Sequence, residues 1–345
     1  HSLVWPALVG FKTKEQIMKV NSLQPSRCLQ ENPNRAHRGG SISKARNALL
    51  VASFGFAALP ANAAGVFTGF FSFGDSLTDS GNIPLAGGAT YPSGRFSNGP
   101  TWAEQLSTDY LDLGSHDPSL DGGNNHAFGG AWTDGGALVP SVMGQIGGYL
   151  SNGGTFSSTD LVSIFAGAND LFGTIANPGG PVNPGVPVSN IGTALGLLAG
   201  AGAQHFLILN LPDLGGAPDF AGGPAEAGVR AWSQGYNVLL ADELAAQRGI
   251  LGISIYEADI SGRAAEIIDN PGTYGISNWT DPVFPDLTLD PNETVYWDGV
   301  HPTAIVHGFL AEEAFNSLPT SIPEPSTGVL ALFAFGIVCS RRTRR

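Results

Sequence analysis

Ser76 stands at the end of an apolar run, in a setting that could make its hydroxyl a nucleophile. The run covers residues 66–73 and stops abruptly at Gly74-Asp75-Ser76. A side chain on a tight turn after a strand lies at the rim of a sheet, where α/β proteins place their reacting groups. For Ser76 to react in this way, the chain must also supply a base, a group that orients the base, and donors for an oxyanion.

Four residues that lie downstream of Ser76 match these requirements. His301 can act as the base, and Asp298, three residues before it, is close enough to hydrogen-bond the imidazole across a short turn. Gly130 can offer a backbone N–H that no side chain shields. Asn169 follows a predicted strand and can donate its side-chain amide. With the backbone N–H of Ser76 these groups make a three-donor oxyanion hole, in which one donor is typically worth about 2.7–4 kcal/mol of transition-state stabilisation.

Each motif has an ordinary structural explanation when it is taken alone. A Gly-Asp-Ser triplet favours a turn, and the pair Asn169-Asp170 after a strand can cap the next helix. The segment from Asp298 to Pro302 can simply open a helix. The presence of all the motifs in this order favours acyl-transfer chemistry.

At these residues the chain resembles the SGNH, or GDSL, hydrolase superfamily, whose name refers to Ser, Gly, Asn and His. The resemblance is carried by Gly74-Asp-Ser-Leu77, Asn125-His-Ala-Phe-Gly-Gly-Ala131, Gly167-Ala-Asn-Asp170 and Asp298-Gly-Val-His-Pro302, and also by residues 96–102, 210–215 and 296–303. It spans residues 67–318 and is closest to the secreted branch that includes phospholipase/acyltransferase-like and lipase-like esterases.

The resemblance implies a role for each candidate residue. Ser76 would be the nucleophile, and Asp298 and His301 would complete the triad. Gly130 and Asn169 would join Ser76 as oxyanion donors. A family member of this kind needs no metal and no cofactor, and its fold is a three-layer α/β/α, flavodoxin-like SGNH hydrolase fold with a parallel sheet.

The periodicity of the chain predicts the same class of fold. Short apolar runs bounded by turn residues predict buried parallel strands over residues 67–73, 161–166, 206–211 and 253–256. Helical patterns cover residues 101–109, 191–201 and 228–248, and loops are predicted over 177–189 and 272–289. Alternating strands and helices favour a parallel sheet covered by helices.

The first 63 residues contain a pattern that is typical of an export signal. Residues 35–46 are basic, and residues 48–64 are apolar and end in Ala61-Asn-Ala-Ala64. This pattern predicts a secretory signal peptide over residues 35–63, cleaved after Ala63; a buried helix is the alternative. Residues 1–34 form an extension without any pattern.

The end of the chain resembles a second kind of signal. Pro323-Glu-Pro-Ser precedes an apolar run over residues 328–339 and the terminal Arg341-Arg-Thr-Arg-Arg. These residues, 323–345, resemble the PEP-CTERM sorting signal of Gram-negative bacteria. The resemblance implies transient anchoring in the inner membrane, cleavage by an exosortase-type protease, and secretion or attachment at the cell surface. A simple C-terminal anchor is the alternative and leads to the same compartment.

The body between the two signals, residues 64–322, is strongly acidic. It holds four arginines, no lysine and 26 Asp plus Glu, a net charge of 4 − 26 = −22. Such a charge argues against binding to nucleic acid or to anionic membranes. Both cysteines, Cys28 and Cys339, lie outside this body, which therefore contains no disulfide and no thiol nucleophile. Its length suits one domain.

The sequence thus predicts a secreted serine esterase or lipase that forms an acyl-enzyme on Ser76. An acyltransferase of the same mechanism and a non-catalytic surface or matrix protein on the same scaffold are the alternatives. The acyl group is left open: acetyl on a polysaccharide, a short-chain ester and a phospholipid all fit the motifs.

Several other residues receive structural or undecided roles. Asp79 is expected to stabilise the turn after Ser76, and His307 is expected on the same helix as His301 but on another side of it. Four aromatic residues either line an acyl or sugar cleft or pack in the core; they are Trp132, Phe172, Trp279 and Trp297.

Overall fold

The structure is a computed structural model that describes residues 66–321, except residues 89, 137 and 176–181. The predicted N-terminal extension (1–34), signal peptide (35–63) and sorting segment (323–345) lie outside the described residues. The boundaries of the acidic body stay predictions for the same reason.

Four parallel strands form the sheet, and they lie side by side in chain order. Every residue of β2 and β3 is buried, as expected for central strands that are covered on both faces. The strands fall within two residues of the predicted bounds: β1 Gly69–Gly74, β2 Asp160–Phe165, β3 His205–Leu209 and β4 Ser254–Ala258.

Eight α-helices connect or flank these strands in the described residues. The second runs directly into a π-helical turn, Leu106–Tyr110, and three short 3₁₀ turns occur at Ser119–Asp121, Leu214–Gly216 and Pro271–Tyr274. The α-helices are α1 Asn82–Leu85, α2 Trp102–Gln105, α3 Val142–Ser151, α4 Ala168–Ile175, α5 Gly185–Gly200, α6 Glu226–Leu251, α7 Ile260–Asp269 and α8 Ala304–Asn316.

Helices cover both faces of the sheet. Neighbouring residues of a strand point to opposite faces: on β1, the Phe70 ring meets Trp102 of α2, whereas the Phe71 and Phe73 rings meet Tyr149 of α3. The predicted three-layer α/β/α architecture is therefore confirmed.

One predicted loop is wrong in its second half. Residues 177–189 were expected to form a loop because of their prolines and glycines, but α5 begins at Gly185; residues 177–181 lie outside the described part. Pro187 is tolerated in the first turn of α5, where a backbone N–H has no partner within the helix. The helix then buries Val188 and Ile191 against the core.

All four arginines of the acidic body form ion pairs with carboxylates. Their partners are Glu104 for Arg95, Glu226 and Asp213 for Arg230, Glu257 for Arg248, and Glu313 for Arg263. Among the described residues the arginines are thus taken up by local partners, and the remaining carboxylates leave a negative surface.

Candidate active site

Ser76 lies just beyond β1, where the strand ends at Gly74. A Cβ on Gly74 would overlap the carbonyl oxygen of Phe165 on β2, so glycine lets the two strand ends approach closely. Gln145 of α3 fixes this strand end, since its side chain accepts from Gly74 N at 3.0 Å and donates to Gly74 O at 2.8 Å. Ser76 itself is 8% exposed.

Ser76, His301 and Asp298 form a continuous chain of hydrogen bonds. His301 Nε2 lies 2.8 Å from Ser76 Oγ, and His301 Nδ1 lies 2.8 Å from Asp298 Oδ2. Asp298 Oδ1 also accepts the backbone N–H groups of Val300 and His301, at 2.9 and 2.8 Å. The short turn between the acid and the base therefore fixes the carboxylate on the imidazole.

His301 is not on a helix, contrary to the expectation that it shares one with His307. Helix α8 begins at Ala304, after its N-cap Thr303. His301 lies in the preceding turn, where its backbone carbonyl accepts from Trp297 N at 2.8 Å. His307 is buried within α8, and its Nδ1 accepts from Trp102 N at 3.2 Å. The two histidines therefore occupy different local environments.

Tyr91 is a further member of this network that the sequence does not reveal. Its hydroxyl donates to Asp298 Oδ2 at 2.6 Å. The ring packs edge-on against Phe284 and Trp297, with centroids 4.9 and 5.5 Å away. No motif pointed to Tyr91, because it lies in a loop far from Asp298 in sequence.

The electrostatics of the pair favour a charged acid and a basic imidazole. Burial favours the neutral form of Asp298, but His301, Tyr91 and the Val300 N–H outweigh it and hold the pKa of this carboxyl below its usual value. Burial likewise disfavours a charged His301. The carboxylate of Asp298 beside it, helped by Asp75 and Asp219, nevertheless raises the pKa of His301 above its ordinary value.

Asn169 lies in the first turn of α4, next to Ser76 in the same cavity. Its Nδ2 donates to Asp75 Oδ2 at 3.3 Å and to the Ala131 carbonyl at 3.2 Å. Both bonds are longer than the usual 2.9–3.0 Å or so of an N–H···O bond. The amide predicted to stabilise an oxyanion is thus held by two weak protein acceptors. An oxyanion would have to replace one of them.

Asp75 is 2% exposed and lies close enough to His301 for the two charges to interact. Burial raises the pKa of this carboxyl to about 7, although the Leu77 N–H, His301 and the Asn169 amide act in the opposite direction. Asp75 therefore gains a proton in the neutral pH range, close to His301.

Gly130 reaches the same cavity through a loop that Asp79 fixes. Gly130 has a positive φ of 81°, which glycine adopts without strain. Asp79 Oδ1 accepts from the backbone N–H groups of Gly81 and Asn82 at 2.8 and 2.6 Å. Its Oδ2 accepts from Ile83 N at 3.2 Å and from Gly129 N at 2.9 Å. The expected role of Asp79 in the turn after Ser76 is confirmed, and the carboxylate also anchors the residue before Gly130.

The structure thus brings the five candidate residues together. Ser76, Gly130, Asn169 and His301 line one cavity of about 810 Å³, and Asp298 lies behind His301. Of the four undecided aromatic residues, Trp132 and Phe172 line this cavity, Trp297 packs against Tyr91, and Trp279 is 39% exposed.

The described residues contain neither a metal-binding cluster nor a helix that could span a membrane. Within residues 66–321, apart from the gaps given above, no cluster of three histidine, cysteine or carboxylate side chains could hold a metal ion. In the same part of the chain, no helix has the length and apolar character needed to cross a membrane.

Comparison with known proteins identifies the domain. A family model described as GDSL-like Lipase/Acylhydrolase matches residues 70–314, and one described as PEP-CTERM protein-sorting motif matches residues 321–345. Both resemblances seen in the sequence are therefore confirmed.

Curated relatives and a solved structure extend the comparison. The phosphatidylcholine-sterol acyltransferase of Aeromonas hydrophila is 26% identical over 305 residues, which cover 72% of this chain and 89% of that protein. The thermolabile hemolysin of Vibrio parahaemolyticus is 28% identical over 285 residues, 71% of this chain but only 62% of the hemolysin. The crystal structure of LAE5, an alpha/beta hydrolase enzyme from the metagenome of Lake Arreo in Spain, matches 73% of this chain and 96% of its own, with 15% identity and a TM-score of 0.44.

The anchoring of the Gly130 loop can be tested by changing Asp79 to Asn. Each carboxylate oxygen of Asp79 accepts two backbone N–H groups. The asparagine side chain has only one acceptor oxygen, so its NH₂ group would face two buried N–H groups that lose their acceptor. We expect the D79N variant to lose about 2 kcal/mol of unfolding free energy, measured by urea denaturation. Asp121→Asn, at an exposed position, is the control. Equal midpoints for D79N and the unmodified protein would contradict this role.

Proposed function

Because the chain belongs to the GDSL-like lipase/acylhydrolase family, we propose that it is an exported serine esterase that cleaves carboxylic esters through an acyl-enzyme on Ser76. The observation that carries the proposal is the hydrogen-bond chain from Ser76 Oγ through His301 to Asp298. Ser76 and His301 of this hydrogen-bond chain line the same cavity as Gly130 and Asn169. Nucleophile, base, orienting acid and oxyanion donors therefore meet at one place.

In the proposed mechanism, Ser76 Oγ attacks the carbonyl carbon of the ester while His301 Nε2 takes the hydroxyl proton. Asp298 stabilises the imidazolium that forms. The tetrahedral intermediate collapses, the bond to the alcohol oxygen breaks, and His301 gives its proton to the leaving alcohol. Water then attacks the acyl-enzyme, with His301 again as the base, and the carboxylic acid leaves as Ser76 regains its proton.

The oxyanion of each intermediate lies against the backbone N–H groups of Ser76 and Gly130 and the side-chain amide of Asn169. The Asn169 amide exchanges its bond to the Ala131 carbonyl for one to the oxyanion. Because the bond it gives up is long, at 3.2 Å, and a bond to a charged oxygen is stronger, the exchange favours the transition state.

Tyr91 acts as a positioning residue for Asp298. Its hydroxyl supplies the hydrogen bond that Asp298 Oδ2 receives in addition to the imidazole. The tyrosine fixes the carboxylate and takes up part of its negative charge. It makes no contact with the reacting atoms and acts on catalysis through Asp298.

Transfer of the acyl group to an alcohol other than water would use the same residues. The Aeromonas relative carries the name of an acyltransferase, so transfer is the second candidate. The two activities differ only in the molecule that attacks the acyl-enzyme, and the products formed in the presence of a competing alcohol distinguish them.

Export and sorting complete the proposal. The PEP-CTERM motif over residues 321–345 and the predicted signal peptide support cleavage by an exosortase-type protease and delivery outside the inner membrane. In a Gram-negative host with such a protease, the intact chain is expected in the medium or at the cell surface. A variant with Pro323 and Pro325 changed to Ala is expected to stay in the membrane fraction. An unmodified chain found in the cytoplasm would contradict the proposal.

Replacing Ser76 by Ala tests the nucleophile directly. The variant is expected to lose at least roughly 10⁴-fold in kcat/KM on p-nitrophenyl esters and to keep its unfolding midpoint. Ser80→Ala is a matched control, since the Ser80 hydroxyl is buried without a hydrogen-bond partner among the described residues. Hydrolysis that survives in S76A would exclude Ser76 as the nucleophile.

The pH dependence of kcat/KM tests both the base and Tyr91. Only neutral His301 can accept the serine proton, so activity is lost as pH falls through the raised pKa of His301. In Tyr91→Phe, the charge on Asp298 is less shared and stabilises the imidazolium more. The acid limb is therefore expected to move to higher pH, and the plateau rate to fall roughly tenfold as the carboxylate loses its fixed position.

Comparing Y91F with the unmodified protein separates the effect of Tyr91 on the acid limb from the titration of other groups near His301. Burial, which raises the pKa of Asp75 to about 7, is the same in both proteins, so the difference between their acid limbs reports on the bond between Tyr91 and Asp298. Tyr149→Phe is the control, because its hydroxyl donates to Thr155 O, away from Asp298. An unchanged acid limb in Y91F would show that Tyr91 has no part in the triad.

A further inference from the structure

The cavity beside Ser76 is far larger than the cleavage of a small ester requires. Its volume is about 810 Å³, within the range of pockets that enclose drug-sized ligands, about 300–1,000 Å³. A methylene group is about the size of a water molecule, which occupies roughly 30 Å³ of the liquid. An acetyl group would therefore leave most of the cavity empty.

Three separate hydrophobic clusters meet at this cavity. Ile260 and Leu310 belong to the main core, Ile83 and Phe96 to a smaller cluster near α1, and Val306 to a cluster beneath α8. All five line the cavity, and each is less than 10% exposed. The walls are therefore apolar side chains that the fold keeps from solvent.

Polar side chains in the lining are few: besides Tyr296 and the indole of Trp132, they are Ser76, Asn169 and His301 of the proposed site and Asp75 next to Ser76. Among the described residues that line the cavity, the ones that carry charge are Asp75 and His301, and none is a lysine or arginine. A sugar needs hydrogen-bond partners along its whole length, because its hydroxyls lose their water when they are enclosed. The lining offers few such partners and favours an alkyl chain.

We propose that this cavity holds the alkyl chain of the acyl group, so that the substrates are esters of fatty acids with about eight or more carbons rather than acetyl esters. The assignment rests on the proposed function, since it presupposes an acyl group on Ser76. Ala264 of α7 lies in the lining, and its small side chain leaves room for the chain.

A series of monomeric p-nitrophenyl esters, from acetate through butanoate and octanoate to dodecanoate, tests the proposal. We expect kcat/KM to rise by up to roughly fourfold per methylene while the chain is being buried. A series that is flat or falls beyond acetate would overturn the assignment and leave the esterase standing. If no ester is hydrolysed, the proposed function itself fails.

A second series fixes the acetyl group and lengthens the alcohol, from ethyl acetate to octyl acetate. We expect little change along this series. A rise with the alcohol, combined with a flat acyl series, would assign the cavity to the alcohol and overturn the proposal.

Two neighbouring alanines on α7 provide matched variants. Ala264→Phe fills the cavity, whereas Ala265→Phe places the same ring at an exposed position. We expect A264F to lose at least tenfold in the ratio of kcat/KM for dodecanoate to that for acetate, and A265F to keep the ratio. An unchanged ratio in a folded A264F would contradict the proposal.

A measurement on the unmodified protein covers the case in which A264F does not fold. Ser76 is labelled with fluorophosphonates that carry either an ethyl or a dodecyl chain, and the two rates are compared. We expect faster labelling by the dodecyl compound; equal rates would count against an enclosed acyl site.

Discussion

The parallel pairing of β1 with β2 is the constraint on which the site depends. Its register sets Gly74 beside Phe165, so the residues after both strands emerge together at one edge of the sheet. Ser76 follows the first strand and Asn169 follows the second. The proposed nucleophile and one proposed oxyanion donor thus become neighbours through main-chain hydrogen bonds, before any side chain contributes.

The acid and the base are held in a different way, by a loop that packs on another loop. Two hydrogen bonds tie residues 296–304 to an upstream loop, residues 90–98. The Ser97 hydroxyl donates to the Pro302 carbonyl at 2.9 Å, and Ala304 N donates to Asn98 Oδ1 at 2.8 Å. Tyr91 belongs to the same upstream loop and bonds Asp298. One half of the site therefore rests on the sheet and the other half on contacts between segments that lie about 200 residues apart in the chain.

This division explains what the sequence could and could not predict. Ser76 and Asn169 follow apolar runs, and Asp298 and His301 are spaced for a short turn, so local pattern was enough to find them. Tyr91 could not be found, because its role arises only when two distant loops meet. The start of α5 was missed since Pro187 looks like a helix breaker unless its place in the first turn is known. A cleft lined by Trp132 and Phe172 was one of two options left open, but the extent of the cavity could not be predicted, because three clusters from separate segments enclose it.

The pairing of all four arginines with nearby carboxylates has a consequence for what can approach the protein. With its cations neutralised locally, the body presents a negative potential over distances up to a Debye length of about 8 Å at physiological salt. An anionic molecule meets this repulsive potential, whereas a neutral or zwitterionic one does not. For the proposed esterase, the charge of the surface would therefore disfavour esters with an anionic headgroup, independently of the fit inside the cavity.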